Sequence, residues 1–325
     1  MRQSPFGAAL LAAVGTDVTG RQDESEAVIA TLDSGRHLVL EGPPGTGKST
    51  LLRSVATHSG LPFVFVEGNA ELTPARIVGH HDPSRVLAEG YTADAFVAGP
   101  LVRALQDGAL FYVEEINRVP EETLNTLITV ISEGELHVPR YGRVTAAENF
   151  RLVAAMNPFD AVGTSRISSA ISDRVCRIYL DYQSDTDEVE IVARRTEVDN
   201  PPLLTAVVNL VRATRKHPQI RIGSSVRGAI DLILVAQSLA ALKDKSIGDP
   251  EVTKRATMTA LSGRIRVDEA TDRSPEEILR ELWMLHLGGE IGGGQQVGLA
   301  APPDPTRSNS AEREGQRPPG KATAP

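Results

Sequence analysis

One short stretch constrains this chain more than any other, a glycine-rich loop at residues 42–50 that reads GPPGTGKST. It fills every defined position of the phosphate-binding pattern G-x-x-x-x-G-K-[ST]. An apolar run at 37–40 precedes the loop, and a run with helical character at 49–56 follows it. A tight glycine turn at a helix N-terminus presents backbone N–H groups to phosphate oxygens. The stretch therefore predicts a nucleotide site rather than a glycine- and proline-rich surface turn.

The pattern gives each loop residue a chemical task. Lys48 is expected to reach the β- and γ-phosphates as a point charge, and the Ser49 hydroxyl is expected to be a ligand of Mg²⁺. ATP and Mg²⁺ are therefore the predicted cofactors. The predicted nucleotide-binding residues of the loop are Gly42, Pro43, Pro44, Gly45, Thr46, Gly47, Lys48, Ser49 and Thr50.

The composition excludes several classes of protein. The 325 residues, 41% of them hydrophobic, are enough for two domains with packed cores. A net charge of −8 and a pI near 5.5 argue against a general nucleic-acid binder, although a local basic groove stays open. The single cysteine, Cys176, rules out an internal disulfide framework and a cysteine-based zinc cluster.

The sequence gives little reason to place the protein in a membrane. No apolar run reaches the roughly 18 residues that a spanning helix needs. The start of the chain has one basic residue, Arg2, before a short apolar stretch at 6–14, and it shows no clear cleavage site for a signal peptide. We therefore expect no membrane span and a cytoplasmic protein.

The order of predicted elements indicates an α/β fold with a parallel sheet between helices. Helices are predicted at 22–32, after the loop, and at 120–133, whereas residues 1–20 show no periodicity. A hairpin is predicted at 135–144. Residues 73–78 begin a helix whose character resumes at 99, and we interpret the residues between as an insertion within one helix. The five predicted strands are 37–40, 62–66, 109–113, 151–155 and 175–180.

The character of the chain changes near residue 182, where we expect no further strand. Five helical patterns follow, near 185–196, 202–216, 224–242, 251–264 and 274–287. The final segment is rich in glycine and proline and has no aromatic residue, so we expect it to be disordered. The predicted divisions are an N-terminal extension at 1–20, an α/β nucleotide-binding domain at 21–182, a smaller all-α domain at 183–290 and a tail at 291–325.

Two adjacent carboxylates, Glu114 and Glu115, follow the third predicted strand. Hydrolysis of ATP needs a bound metal, an activated water and groups that offset charge on the phosphoryl oxygens. We predict that Glu114 holds Mg²⁺, through a water, and that Glu115 polarises the attacking water. The pair could instead be the solvated start of a helix. The position after a buried strand favours the catalytic interpretation.

Asn157 ends the fourth predicted strand, beside the strand that carries the glycine-rich loop. Its amide is predicted to orient the attacking water or to contact the γ-phosphate. The alternative is an asparagine that forms a turn before Pro158.

Several motifs occur in one order along the chain and resemble those of AAA+ ATPases. The resemblance covers roughly residues 25–290 and is strongest to the MoxR branch, close to magnesium-chelatase ATPase subunits. The phosphate loop is common to many families, whereas EEINRVP and the interrupted helix are more specific. The motifs are the loop at 42–50, FYVEEINRVP at 111–120, AAMNP at 154–158, SDR at 172–174 and SSVR at 224–227.

The resemblance implies an AAA+ strand order, a helical lid domain and a homo-oligomeric ring, usually of six subunits. It implies that the insertion at 79–98 and the hairpin at 135–148 face the pore or a partner. Arg174 would reach the γ-phosphate of the neighbouring subunit, with Arg166 and Arg118 as competing candidates. Arg227 would contact its own subunit's nucleotide from the lid. A guanidinium suits both tasks, although each arginine alone reads as a surface or salt-bridge residue.

The implied function is a chaperone-like ATPase that remodels a partner protein or activates it by inserting a metal cofactor. A partner with a von Willebrand factor A-type domain is implied as well, and a nucleic-acid partner is not expected. The family usually has aspartate where Glu114 stands, which leaves slow hydrolysis open. The alternatives are therefore a nucleotide-gated assembly scaffold with weak hydrolysis, and the ATPase subunit of a magnesium-chelatase-like complex.

Overall fold

The computed structural model describes residues 5–158 and 169–289. The predicted tail at 291–325 and the candidate Arg166 lie outside the described residues. The described strands are β1 (Leu38–Glu41), β2 (Phe63–Glu67), β3 (Gly79–His81), β4 (Phe96–Ala98), β5 (Leu110–Glu114), β6 (Glu135–Val138), β7 (Gly142–Thr145), β8 (Arg151–Met156), β9 (Cys176–Tyr179), β10 (Ile220–Ile222) and β11 (Arg266–Val267).

The described helices are more numerous than the strands, and two 3₁₀ turns, Ala93–Ala95 and Ile116–Arg118, accompany them. The helices are α1 (Ala8–Asp17), α2 (Gln22–Asp33), α3 (Lys48–Ser59), α4 (Pro74–Val78), α5 (Pro83–Glu89), α6 (Pro100–Asp107), α7 (Glu121–Glu133), α8 (Ser169–Ser172), α9 (Asp185–Thr196), α10 (Pro201–Lys216), α11 (Val226–Lys243), α12 (Pro250–Leu261) and α13 (Pro275–Leu287).

A five-stranded parallel sheet in the order β2-β5-β8-β1-β9 is the centre of the fold, which confirms the predicted α/β sheet. Its inner strands are apolar and buried except at their ends, where Glu41, Glu114 and Arg151 lie, as expected for a parallel sheet covered on both faces. β1 lies between β8 and β9, with Leu38 opposite both Val153 and Cys176. The carboxyl ends of β1, β5 and β8 therefore meet at one edge of the sheet.

Side-chain alternation along the strands divides the core into two layers. Leu40 and Tyr112 pack on the side of α1, α2 and α3, whereas Val39 and Phe111 pack on the side of α4, α6 and α7. The helix α1 was not predicted, because in a run such as AALLAAV nearly every residue is apolar and no periodic face can be recognised. The structure nevertheless buries Leu10 and Val14 in this core.

The segment between α4 and α6 forms a small unit of its own. The strands β3 and β4 pair antiparallel with α5 between them, and Gly99 N donates to Val78 O at 2.7 Å where the two ends meet. The Thr73 hydroxyl caps α4 by accepting from Arg76 N. The predicted hairpin is confirmed as β6 and β7, with Glu135 opposite Thr145.

The helices α9 to α13 share a second hydrophobic core. Trp283 lies in it, with its Nε1 donating to Thr253 Oγ1 at 3.2 Å and the Lys254 ammonium 5.6 Å from the ring centroid. The expectation of no further strand was wrong, because β10 and β11 form an antiparallel ribbon. Strands of three and two residues are too short to show a period in the sequence. Among the described helices, none has the length and apolar character to cross a bilayer.

Candidate nucleotide-binding site

The glycine-rich loop joins β1 to α3, and α3 begins at Lys48. Gly45 has φ of 80° and lies against the start of α11, where a Cβ at position 45 would be 2.3 Å from Ser225 Oγ. Gly42 N donates to Met156 O at 3.3 Å, so the loop is also hydrogen-bonded to the end of β8. The local sequence thus fits a tight cradle that a side chain on Gly45 would disturb.

Lys48 lies inside this cradle. Its Nζ donates to Gly42 O at 2.7 Å and to Pro43 O at 2.8 Å. Burial lowers the pKa of Lys48 to about 8, while the carboxylates of Glu114 and Glu115 act in the opposite direction. The same lysine feels the positive charges of Arg227 and Arg21. The residues predicted to bind phosphate and metal therefore share one electrostatic environment.

Ser49 and Glu114 contact each other at the end of β5. The Ser49 hydroxyl lies 2.9 Å from both carboxylate oxygens of Glu114. Hydroxyl and carboxylate oxygens are the hard ligands that Mg²⁺ takes in nucleotide sites, where one or two carboxylates suffice because phosphate oxygens complete the shell. The residues present therefore fit a magnesium site. Within the described ranges no group of three or more His, Cys, Asp or Glu residues suggests another metal.

Tyr112 is a site residue that sequence reasoning missed. Its hydroxyl lies 3.3 Å from Ser49 Oγ, and the nearby carboxylate of Glu114 helps to raise the pKa of the phenol. Burial of the side chain raises the pKa of this phenol well above its ordinary value. The available signal was strand alternation, because residues two apart on β5 share one face of the sheet.

Glu115 follows β5 with a left-handed backbone, φ 54° and ψ 44°. Its carboxylate forms an ion pair with Arg118, where Nε lies 3.3 Å from Oε2. Gly68 approaches closely, since a Cβ there would be 2.4 Å from Glu115 O. The candidate Arg118 is therefore placed beside Glu115 of its own chain.

Asn157 is 8% exposed and borders a cleft of about 730 Å³ at the carboxyl edge of the sheet. Glu115, Pro43 and Pro44 line the same cleft. The structure thus places Asn157 and Glu115 on one cavity next to the loop. The cleft is also lined by three arginines that sequence reasoning did not connect with the site, Arg215, Arg221 and Arg266.

Arg227 lines a second cavity, of about 340 Å³, on the other side of the loop. Gly45, Gly47 and Thr50 of the loop also line this cavity. Its mixed apolar and polar lining suits a nucleotide's base and ribose. Sequence reasoning missed most of this lining, because it comes from three separate stretches of chain: Asp17, Val18, Thr19, Gln183, Ile191, Arg194, Arg195, Val226 and Ile230.

Arg21 joins the loop to the segment after β9. It is 4% exposed, and its Nη2 donates to Thr46 O at 3.0 Å and also to Asp181 O. Its Nη1 pairs with Glu24. A buried arginine just before α2 carries no motif, so the sequence did not indicate this contact.

Arg174 lies two residues after the end of α8. Its Nε donates to Ser132 Oγ at 2.7 Å, and its Nη1 donates to Ala170 O at 2.9 Å. The side chain is 39% exposed. Within the described residues its hydrogen bonds go to α7 and α8 rather than to the glycine-rich loop, so the structure does not bring it together with the cis site.

Known proteins with similar sequences support this picture. The chain is 29% identical to the gas vesicle ATPase GvpN of Haloferax mediterranei over 231 residues, which cover 66% of this chain and 65% of that protein. It is 27% identical to the gas vesicle ATPase GvpN1 of Halobacterium salinarum over 268 residues, which cover 77% and 73%. The chain thus spans slightly less than two thirds of the Haloferax protein.

A solved structure of a mutant RuvB from Thermotoga maritima has a TM-score of 0.52 and 17% identity, and the match covers 84% of this chain and 80% of that one. At this identity the likeness concerns the fold alone. Residues 37–175 match the family model of the AAA domain (dynein-related subfamily), and residues 212–282 match the AAA lid domain. The first match spans the loop and four of the five sheet strands, and the second lies within α10–α13. On these grounds the protein belongs to the AAA+ ATPase family.

Proposed function

We propose that this protein binds ATP with Mg²⁺ and hydrolyses the bond between the β- and γ-phosphates. The observation that carries the proposal is the contact of Ser49 with both oxygens of Glu114, at 2.9 Å, next to the buried ammonium of Lys48. These groups lie at the N-terminus of α3, which favours anions. Magnesium, when bound, would offset charge on the phosphate oxygens.

In this proposal the loop residues and Arg227 bind the nucleotide, while Ser49 and Glu114 hold the metal. Glu115 polarises the attacking water, and Asn157 orients that water or contacts the γ-phosphate. The shared cleft of Glu115 and Asn157 supports these two roles. The cavity between the loop and α11 supports a nucleotide site where residues 21–182 meet a lid at 183–290.

We also propose a homo-oligomeric ring, with six subunits as in the MoxR branch, in which Arg174 acts on the neighbouring subunit's nucleotide. An exposed guanidinium held by Ser132 and Ala170 is presented to solvent at a fixed place. Its hydrogen bonds to α7 and α8 are compatible with a contact in trans. A charge supplied in this way to a phosphoryl group typically accelerates transfer strongly.

The proposed biological role is chaperone-like remodelling or metal-cofactor activation of a partner protein in the cytoplasm, with a von Willebrand factor A-type domain protein as one partner. The insertion and the hairpin support a joint partner-facing surface. The rings of Phe96 and Tyr141 are 4.4 Å apart, and the Arg140 guanidinium lies 3.7 Å from the Tyr91 ring centroid. Leu87, on α5 of the insertion, is 89% exposed.

The gas vesicle ATPases among the relatives make gas vesicle proteins one class of client to test, and a magnesium-chelatase-like complex is another. Affinity purification of the full chain from its own cells would distinguish the two classes through the proteins that accompany it.

The nucleotide-gated scaffold is the second candidate function. It is favoured by one observation, the glutamate at position 114, whose extra methylene lengthens the arm that carries the proposed metal-binding carboxylate. Replacement of Glu114 by Asp tests it. A large gain in the hydrolysis rate would indicate a naturally attenuated enzyme, and little change would favour a working ATPase.

The main experiment measures steady-state ATP hydrolysis against protein concentration for wild type, Arg174→Ala and the exposed control Arg103→Ala on α6. We expect the rate per subunit to rise with concentration and to fall by about 100-fold or more in Arg174→Ala, while ATP binding persists. A concentration-independent rate that Arg174→Ala leaves unchanged would overturn the assignment in trans. No rate at any concentration would favour the scaffold.

A further inference from the structure

Tyr112 combines complete burial with a polar group that ends at the proposed metal site. Its side chain is 0% exposed. The ring packs in the core on the α3 side of the sheet, and the hydroxyl emerges beside Ser49 and Glu114. A buried phenol needs a hydrogen-bond partner, whereas phenylalanine would fill the same space without one. The hydroxyl is therefore expected to form a hydrogen bond within the proposed metal site.

The ring is held from the neighbouring edge strand. Phe65 on β2 lies opposite Tyr112 on β5, and the two ring centroids are 5.7 Å apart. Phe63 stacks on the same ring at 5.9 Å. The Arg53 guanidinium, on α3, lies 5.6 Å and 5.2 Å from the centroids of Phe63 and Phe65. This packing fixes the direction in which the phenol points.

The side chain of Glu114 has one more rotatable bond than that of the aspartate that usually occupies this position in the MoxR branch. A longer arm loses more conformational freedom when its carboxylate is fixed. Two hydroxyl groups lie at this carboxylate: that of Ser49, 2.9 Å from both oxygens, and that of Tyr112, whose oxygen lies 3.3 Å from Ser49 Oγ. Hydrogen bonds to a charged acceptor are among the stronger ones in proteins.

A serine hydroxyl has one hydrogen and two lone pairs. When Ser49 donates its hydrogen to Glu114, both lone pairs stay available for a cation. A second donor on the carboxylate lets Glu114 keep its orientation even when Ser49 turns toward the metal. The phenol is protonated at neutral pH and can supply that second hydrogen.

We propose that Tyr112 is a positioning residue of the magnesium site, whose phenol donates to Glu114 and fixes this longer carboxylate beside Ser49. The inference rests on the proposed function, because it assigns the metal to this pair. It predicts that the phenol sets the affinity for the divalent cation rather than the affinity for the nucleotide.

The test compares Tyr112→Phe with wild type by titrating Mg²⁺ into the protein with a fluorescent ADP analogue, and by electron paramagnetic resonance of bound Mn²⁺. We expect divalent-cation affinity to fall by about 10-fold, as for other residues that orient a metal ligand. Nucleotide affinity in EDTA should stay within about 2-fold. Tyr141→Phe, in the hairpin turn, is the matched control and should change neither quantity.

A double-mutant cycle with Glu114→Asp tests the link to the longer arm. The shorter side chain withdraws the carboxylate from the phenol, so Tyr112→Phe should change cation affinity by less than about 2-fold in that background. An undiminished effect there would show that Tyr112 acts on the metal by another route, and the proposal would be wrong.

The outcomes separate this inference from the proposed function. Magnesium-dependent nucleotide binding that Tyr112→Phe leaves unaltered would overturn the inference alone, while its absence in wild type would overturn both. If Tyr112→Phe does not fold, protein labelled with 3-fluorotyrosine provides the readout. One of its five tyrosine ¹⁹F signals should then shift when Mg²⁺ joins the ADP complex but not in Glu114→Asp, and five unmoved signals would contradict the proposal.

Discussion

His37 lies just before β1, and its protonation is linked to the stability of the folded protein. Its Nδ1 accepts a hydrogen bond from Leu152 N at 2.9 Å, and its ring meets Phe150 edge-on at 6.0 Å. Burial lowers the pKa of His37 to about 4, and the charges of Arg151 and Arg36 add to the effect. The folded protein therefore holds this histidine neutral at pH values where the unfolded chain, with a pKa near 6.5, is already protonated.

This difference predicts a pH dependence of stability with a definite sign. Because the folded-state pKa is lowered, the unfolded state binds more protons between about pH 6.5 and about pH 4. The free energy of unfolding should therefore fall as the pH falls through this window, by at most roughly 2–3 kcal/mol from this residue. Urea denaturation followed by circular dichroism at several pH values measures it.

The variant His37→Asn keeps an acceptor for Leu152 N but does not titrate, so its stability should fall less steeply over the same window. The exposed His80→Asn serves as the control and should follow wild type. Parallel curves for His37→Asn and wild type would show that His37 does not carry the dependence.

The predictability of the site also differs from residue to residue. The loop at 42–50, Glu114 and Glu115 could be recognised because the residues that define their chemistry are adjacent in the sequence. Arg21 could not, since it acquires its role only when segments far apart in sequence come together. For Tyr112, strand alternation indicated a shared face with Glu114 but not the contact with Ser49. Asn157 is intermediate, because the end of a predicted strand indicates the right edge of the sheet but not its neighbours.

At the scale of elements, the join between α9 and α10 depends on a buried carboxylate. Glu188 is 1% exposed and pairs with Arg212 at 3.0 Å and with Arg215 at 2.8 Å. Arg215 also donates to Ser224 O at 2.6 Å and lies 3.9 Å from the Tyr182 ring centroid. One anion thus ties two helices to the segment that leaves the sheet and to the turn before α11.

Removal of the negative charge of Glu188 should lower the free energy of unfolding substantially. In Glu188→Gln two arginines lose their charged partner inside the protein, and breaking a buried pair in this way typically costs about 3–5 kcal/mol. Glu190→Gln, on the same helix, breaks only the exposed pair with Arg194 and should cost less than about 0.5 kcal/mol. Chemical denaturation of both variants measures the difference. Equal stabilities would mean that the cluster contributes no more than a surface pair.

The same scale shows why some elements were predicted and others were not. The five sheet strands were recognised as short apolar runs bounded by turn residues. The helix α1 was not predicted because its sequence is apolar on every side. The ribbon of β10 and β11 was not predicted because its strands are too short to show a period. Burial of Leu10 and pairing of Ile220 with Val267 come from tertiary contacts, which a local pattern does not contain.

At the scale of the molecule, the cavity beside the loop is closed by helices from the second half of the chain. Arg227 and Ile230 on α11 face Gly45 and Gly47 across it, and Ile191 on α9 lines the same space. A nucleotide bound there would contact both parts at once. Its binding should therefore depend on α11 as well as on the loop.

Replacement of Arg227 by Ala tests this dependence. Loss of a charged hydrogen-bond donor should weaken ADP binding by about 10-fold or more, since such bonds contribute about 1.5–3 kcal/mol. Isothermal titration calorimetry measures the affinity, and the exposed Arg255→Ala on α12 is the control. Affinity for ADP within about 2-fold of wild type in Arg227→Ala would remove this arginine from the site.

The position of Trp283 makes it useful for following how the helices α9 to α13 respond to nucleotide binding. It is the only tryptophan of the chain, and it is packed among the helices α9 to α13, away from the sheet. Its intrinsic emission therefore reports on that helical part alone, without a dye and without a substitution. Stopped-flow mixing with nucleotide would time the response of the helices separately from events in the loop, so the natural sequence already carries its own optical label.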